Sequence, residues 1–223
     1  MKREIIITSD GSTTIHLPDW NEQYHSKHGA IQEAIHVFIE AGLHQISQSE
    51  VSILEIGFGT GLNAFITLLE SKNQSLKIDY VGVEAYPVGK EEIVALNYVD
   101  ELKAKEYDTY FRKMHDVEWE KRMEIDKNFF LTKRQQFFQD ISDENQYDLI
   151  YFDAFGARNQ PELWTEEIFL KMFTAMKDNG VLTTYAAKGS VRRAMLAVGF
   201  EVERLPGPPG KREMLRAKKV VNS

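Results

Sequence analysis

Two hydrophobic rhythms alternate along this chain. Near-continuous apolar runs occur in "VSILEIG", "KIDYVGVE" and "QYDLIYFD", the form taken by strands covered on both faces. Between and around them lie runs with helical spacing. "AIQEAIHVFIEAGLHQ" puts Ile31, Ala34, Ile35, Phe38, Ile39 and Gly42 on one helical face. "LNAFITLLESK" reads as a second helix. "TEEIFLKMFTAMKDNG" reads as a third, with Thr165 as N-cap and Gly180 at its end. "NFFLTKRQQFF" supplies another strand, and so does "GVLTTYAAKG". A short helix in "SVRRAMLAVGF" precedes a final strand pair, "FEVERL" and "REMLRAKKV", around a Pro/Gly loop. Residues 88–127 are polar, aromatic and helical in character. The beginning, "REIIITSDGSTTIHL", predicts a hairpin around a Ser-Asp-Gly-Ser turn.

Strands alternating with helices predict an α/β fold with a mostly parallel sheet. The last two strands have no helix between them, so the final one must run back antiparallel. The expected organisation is an N-terminal hairpin and helix extension over residues 1–48 and a Rossmann-like unit over 49–223.

Composition narrows the class. The chain has 223 residues, 43% hydrophobic and 27% charged, which suits an ordinary globular protein. No apolar run reaches the ~20 residues of a membrane span. There is no cysteine, which removes disulfides, thiolate catalysis and Cys-based zinc sites and fits a cytoplasmic protein. The net charge is −7. From Ala186 to Ser223, however, nine Lys and Arg face three Glu, a net of +6. A basic face on an acidic body can hold a polyanion locally.

The chemistry is concentrated in two stretches. "EIGFGTG" places Gly57, Gly59 and Gly61 between the 51–56 strand and its helix. That turn brings backbone N–H groups and a helix N-terminus to a ligand. The spacing is not that of a dinucleotide fingerprint, and no Lys-Ser/Thr follows to make a phosphate loop. Glu84 ends the next strand, where an acid accepts hydrogen bonds from ribose hydroxyls. An adenosine ligand without a pyrophosphate points to S-adenosylmethionine. In "YFDAFGARNQPELW", Asp153 ends the fourth strand of the sheet and should face the same crevice. There it can take or orient a proton of an amine substrate. Phe155 follows, where its ring could stack on a flat substrate, while Trp164 reads as core. His25 and His28 lack a third spaced ligand, so no metal site is expected.

With these residues in view, "ILEIGFGTGLNAF", "DLIYFDAFGARNQPELWTEEIF" and "VRRAMLAVGFEVERLPGPPGKREML" resemble the MnmC-like tRNA methyltransferase family, and so does the N-terminal "TSDGSTTIHLPDWNEQYHSKHGAIQEA". The resemblance implies a class I S-adenosylmethionine-dependent methyltransferase fold with a seven-stranded sheet. The implied reaction methylates 5-aminomethyl-2-thiouridine in the tRNA anticodon. It matches Asp153 to the family's key acid, and Gly57, Gly59, Gly61 and Glu84 to the cofactor contacts. Tyr24 matches a segment that closes over the cofactor. The chain is too short to carry the family's oxidase half as well. The acid that many relatives carry after the third strand has no counterpart here: "LTKRQQFFQD" puts Lys133 and Arg134 near that place. Lys188, Arg192, Arg193, Lys211 and Arg212 are expected to ring the mouth and grip an anticodon stem-loop. The alternatives are a spermidine synthase-like aminopropyltransferase, which would gather several carboxylates, and a non-catalytic RNA-binding or cofactor-sensing relative.

Overall fold

The structure is a computed structural model and describes residues 2–220; Met1 and residues 221–223, the outer ends of the two expected segments, lie outside it. The N-terminal hairpin forms as β1 (Glu4–Ile7) and β2 (Thr13–Leu17), and β3 (Glu22–Gln23) extends it to a small antiparallel sheet. Next comes α1 (Ala30–Ala34), which continues as a wider π-type turn over Ile35–Glu40. Of the expected helical face, Ala34, Phe38 and Ile39 are buried and Ile31 and Ile35 half-buried, while Val37, outside that face, is buried too.

The main sheet begins with β4 (Glu50–Ile56), followed by α2 (Leu62–Gln74) and β5 (Lys77–Val83). Three helices then pass over one face: α3 (Lys90–Val94), α4 (Tyr98–Glu101) and α5 (Asp108–Asp116). The expectation of helix through to residue 127 fails at its end. Residues Arg122–Asp126 form β6, an edge strand antiparallel to β7 (Phe129–Arg134). Only Ile125 of β6 is buried, so a strand this exposed leaves almost no apolar pattern to read. β8 (Tyr147–Phe152) follows, then α6 (Glu166–Ala175) and β9 (Met176–Thr184). α7 (Gly189–Ala197), β10 (Glu201–Pro206) and β11 (Glu213–Lys218) close the chain.

Thr165 does cap α6, accepting from the Ile168 N–H. The helix stops at Ala175, however, and not at Gly180. "MKDNG" is instead the first half of β9, with Asn179 at φ +63° and a break in register against β8 between Tyr147 and Leu149. A sequence that looks like a helix terminator thus builds a bulge inside a strand.

The sheet order is β10-β11-β9-β8-β4-β5-β7-β6. Seven of these strands are the expected ones, with β11 antiparallel between β9 and β10. β6 adds an eighth. The succession β4, β5, β7 proceeds one way and β8, β9 the other, so the switch point lies between β4 and β8. Two apolar layers cover the sheet, one around Phe38, Phe65, Tyr80 and Tyr151, the other around Phe152, Trp164 and Phe169. The small N-terminal sheet is tied to the helical face where the Thr13 N–H donates to Asn97 Oδ1 at 2.8 Å, and Arg3 donates to the Tyr86 carbonyl at 2.8 Å. Among the described residues, no helix is long and apolar enough to cross a membrane.

Candidate functional site

A cleft of about 1100 Å³ opens at the carboxyl ends of β4, β5 and β8, the edge where open parallel sheets bind ligands. Its volume suits a ligand of nucleoside size with a second group beside it. The floor is the glycine turn. Gly57 has φ +92°, and a methyl group there would sit 2.7 Å from the Asp153 carbonyl oxygen. Gly59 has φ +48°, and a methyl group there would sit 3.1 Å from the Tyr24 ring. The left-handed backbone favours glycine at both positions, and at Gly57 room requires it as well. Gly61 differs from expectation. It starts α2 in the left-handed region, but it backs onto His115 and is absent from the cleft wall.

The first turn of α2 points its N-terminus at the cleft through Leu62 and Asn63, with no side chain capping it. Opposite, Glu84 follows β5. Its carboxylate accepts from the Gly59 N–H at 3.1 Å and the Tyr86 N–H at 2.9 Å, so it fixes the glycine turn as well as lining the cleft. Burial raises its proton affinity, and those two N–H groups pull the other way. Tyr24 crosses the turn edge-on to Phe155, ring centres 5.0 Å apart, and burial pushes its hydroxyl up to about 12. Phe155 also meets Trp20 edge-on at 5.7 Å, so its ring is part of an aromatic wall. Trp164 is core, its indole N–H held by the Phe155 carbonyl at 2.8 Å.

Asp153 leaves β8 into the cleft. Burial, and after it the Glu33 carboxylate, push its carboxyl up to about 7; the Asn63 amide and Lys211 act in the opposite direction. Asn63 Nδ2 donates to Asp153 Oδ2 at 2.9 Å. Glu33 of α1 and Glu22 of β3 also line the cleft, Glu22 accepting from Asn159 at 2.6 Å. Tyr185, just beyond β9, donates its hydroxyl to the Ala154 carbonyl at 2.8 Å.

Three expectations need correction. Lys211 does line the cleft as expected, but it is not free to reach out from the rim: its ammonium pairs with Glu33 and lies 3.8 Å from the centre of the Tyr185 ring. Lys188, Arg192 and Arg193 lie at and after the start of α7 and do not line the cleft. Lys133 and Arg134 do not face it either. Lys133 donates to the His115 carbonyl at 2.6 Å and Arg134 pairs with Asp143, while Phe137, Phe138 and Gln139 form the wall beyond β7. Sequence reasoning missed Asn63, Glu33, Glu22 and Gln139. Asn63 alone left a trace, a polar residue inside the apolar run "GLNAFITLL". Among the described residues, no group of three or more His, Asp and Glu is placed to hold a metal.

Comparison with known proteins places this geometry. A family model described as S-adenosyl-L-methionine-dependent methyltransferase matches residues 97–220, more than half of the chain. The tRNA 5-methylaminomethyl-2-thiouridine biosynthesis bifunctional protein MnmC of Leptospira borgpetersenii is 28% identical over 213 residues, 89% of this chain and 32% of that protein. The chain therefore spans about a third of the length of these bifunctional relatives. The uncharacterized protein MJ0670 of Methanocaldococcus jannaschii is 28% identical over 227 residues, 98% of this chain and 60% of that one. Among solved structures, MNMC2 from Aquifex aeolicus superimposes with a TM-score of 0.75 at 25% identity, over 97% of this chain and 70% of that one. Spermidine synthase from Thermotoga maritima shares the fold, with a TM-score of 0.56 at 15% identity over 100% of this chain and 73% of that one.

Proposed function

The chain belongs to the family of S-adenosyl-L-methionine-dependent methyltransferases, and from that premise we propose that it methylates the primary amine of 5-aminomethyl-2-thiouridine at the wobble position of tRNA. The product is 5-methylaminomethyl-2-thiouridine. The observation that carries this reading is Asp153: a carboxylate at the switch point, beside the glycine turn, with its proton affinity raised to about 7. A neutral-pH amine is mostly an ammonium and has no lone pair to offer. It must lose one proton, and a carboxylate titrating near neutrality is matched to receive it.

The cleft residues suit the cofactor. The uncapped N-terminus of α2 favours a carboxylate, and Glu84 presents acceptors for two ribose hydroxyls. The glycine turn leaves room for close backbone approach. Phe138 and Gln139 offer an apolar face and a carboxamide to a purine. S-adenosylmethionine, when bound, supplies a methyl group on a sulfonium. Glu84→Ala should weaken its binding about 10- to 100-fold, the scale of lost hydrogen bonds to a charged group. Calorimetry measures this, and unchanged affinity would remove Glu84 from the site.

The RNA is held elsewhere on the same edge. Lys188, Arg193 and Arg212 are exposed and make no salt bridge among the described residues. Phosphate contacts by such groups position an RNA without reading it. Replacing all three with Ala should flatten the log–log salt dependence of tRNA binding by about one unit per lost contact. Lys211→Ala should instead disturb Glu33 and the cleft. An unchanged salt slope in the triple variant would make this edge only a solvated surface.

A second reading has one observation in its favour. Glu22 and Glu33 stand with Asp153 on the cleft wall, the kind of carboxylate group expected around a diamine. Lys211 on Glu33 and Asn159 on Glu22 already occupy those two acids, which favours the methyltransferase. Turnover of putrescine with decarboxylated S-adenosylmethionine, and none on tRNA, would reverse the order.

A further inference from the structure

Beneath Asp153 lies a second carboxyl group that the reaction above does not use. Glu55 sits one residue from the end of β4, and its side chain is 0% exposed. Strand pairing sets it opposite Gly82 of β5 and Tyr151 of β8, which turns it into the layer under α2. It makes no salt bridge among the described residues. Its Oε1 accepts from Asn63 Nδ2 at 2.9 Å, and the same nitrogen donates to Asp153 Oδ2 at 2.9 Å. Asn63 thus commits both amide hydrogens to two carboxyl groups. It is itself 3% exposed, on the first turn of α2.

Two carboxylates joined through one nitrogen, Glu55 fully buried and Asp153 on the cleft wall, resist being ionised together. The groups facing the pair decide which keeps the proton. Around Glu55 these are, besides Asp153, Tyr80 of β5, Tyr151 of β8 and Glu84; none is a cation. Around Asp153 they are Glu33 of α1, Lys211 of the loop before β11 and Tyr185 beyond β9. Among the described residues Lys211 is the one cation facing the pair, and it acts on Asp153. Burial and Asp153 both raise the proton affinity of Glu55 well above the carboxylate range. Glu55 therefore stays neutral and Asp153 is the member that ionises.

We propose that Glu55 and Asn63 are positioning residues for Asp153. Neutral Glu55 fixes the Asn63 amide, and Asn63 in turn holds Asp153 Oδ2 and favours its anion, leaving Oδ1 for the substrate amine. The consequence for rate rests on the function proposed above; the consequence for Asp153 itself does not.

The test begins with the free protein. The Asp153 carboxyl is titrated by 13C NMR, with no cofactor or RNA present. Asn63→Ala should raise the midpoint by about one pH unit, as a half-buried carboxylate loses its donor. In the methylation assay, the acid limb of kcat should move the same way, with about a fivefold loss at pH 7, approaching about tenfold on the acid limb, and KM for tRNA unchanged. Glu55→Leu, which frees the Asn63 amide, should shift the midpoint in the same direction by less. Glu55→Gln is the conservative rescue: it keeps a neutral acceptor for Asn63 and should recover most of what Glu55→Leu loses. If Asn63→Ala does not fold, Asn63→Ser is measured in its place. An unmoved Asp153 midpoint overturns the proposal, and so does a Glu55→Gln variant as impaired as Glu55→Leu. A moved midpoint with an unmoved rate profile supports the positioning and overturns the role given to Asp153 in catalysis.

Discussion

Asp153→Asn should lower the rate of methyl transfer by about 10²-fold or more while leaving S-adenosylmethionine affinity within a few-fold. The substitution keeps size and polarity and removes only the capacity to take a proton. In the parent, the rate should rise about tenfold per pH unit on the acid side and level off near 7, as Asp153 ionises. Stability should move the other way. The folded carboxyl holds its proton to about 7, whereas in the unfolded chain it releases it near 4. Between those values the unfolded state binds fewer protons, so stability falls as pH rises. Asp153→Asn should therefore melt higher than the parent above pH 7, and the difference should vanish below about pH 4. Thermal melts at pH 4 and pH 8 read this directly. A variant that is both active and no more stable at pH 8 would contradict the burial and the role together.

Gly57→Ala should be severely damaging, because the added methyl meets backbone and not a movable side chain. Its backbone lies at φ +92°, and the added carbon would stand 2.7 Å from the Asp153 carbonyl oxygen and 3.2 Å from the carbonyl carbon. Neither atom can swing aside, because the Asp153 N–H is bonded to the Ile56 carbonyl at 2.9 Å and the Gly57 N–H to the Val83 carbonyl at 3.0 Å. Strain and overpacking together cost about 2–5 kcal/mol. The melting temperature should fall by roughly 5–15 °C for a chain of this size. Any folded fraction should turn over at least about tenfold more slowly, since Asp153 is displaced. Gly189→Ala is the comparison. It lies in the first turn of α7, where the nearest atom is the end of the Arg193 side chain, 3.3 Å away. It should change stability by less than about 1 kcal/mol, and in the favourable direction. Equal losses in the two variants would show that glycine content alone, and not the geometry at residue 57, sets the effect.

The parallel sheet, its switch point and the approach of Asp153 to the glycine turn were legible because connectivity dictates them. A strand followed by a helix must return parallel, so the ends of β4 and β8 share an edge whatever the intervening loops do. The errors fall where pattern and packing separate. "KDNG" carries the residues of a helix terminator, yet Asn179 and Gly180 serve a bulge in β9. "RMEID" shows little alternation because β6 is an edge strand with one buried side chain. Charge alone marks the basic tail, and charge does not tell which cations are already engaged. Lys211 turned inward because Glu33, 178 residues away in sequence, stands beneath it. Glu33 and Glu22 reach the cleft only because the N-terminal segment folds over it, and no local periodicity carries that contact. Glu55 was visible as the first letter of the glycine motif, but its burial and its link through Asn63 appear only when α2 is laid against β4 and β8.

The central claim is methyl transfer to one tRNA nucleoside. It is tested most directly by incubating the protein with S-adenosylmethionine and tRNA that carries 5-aminomethyl-2-thiouridine, then analysing the nucleosides by mass spectrometry. The prediction is that this nucleoside disappears and 5-methylaminomethyl-2-thiouridine, heavier by one methylene, appears in its place, with the parent protein and not with Asp153→Asn. An unchanged nucleoside, or a methyl group on a different one, would contradict the account.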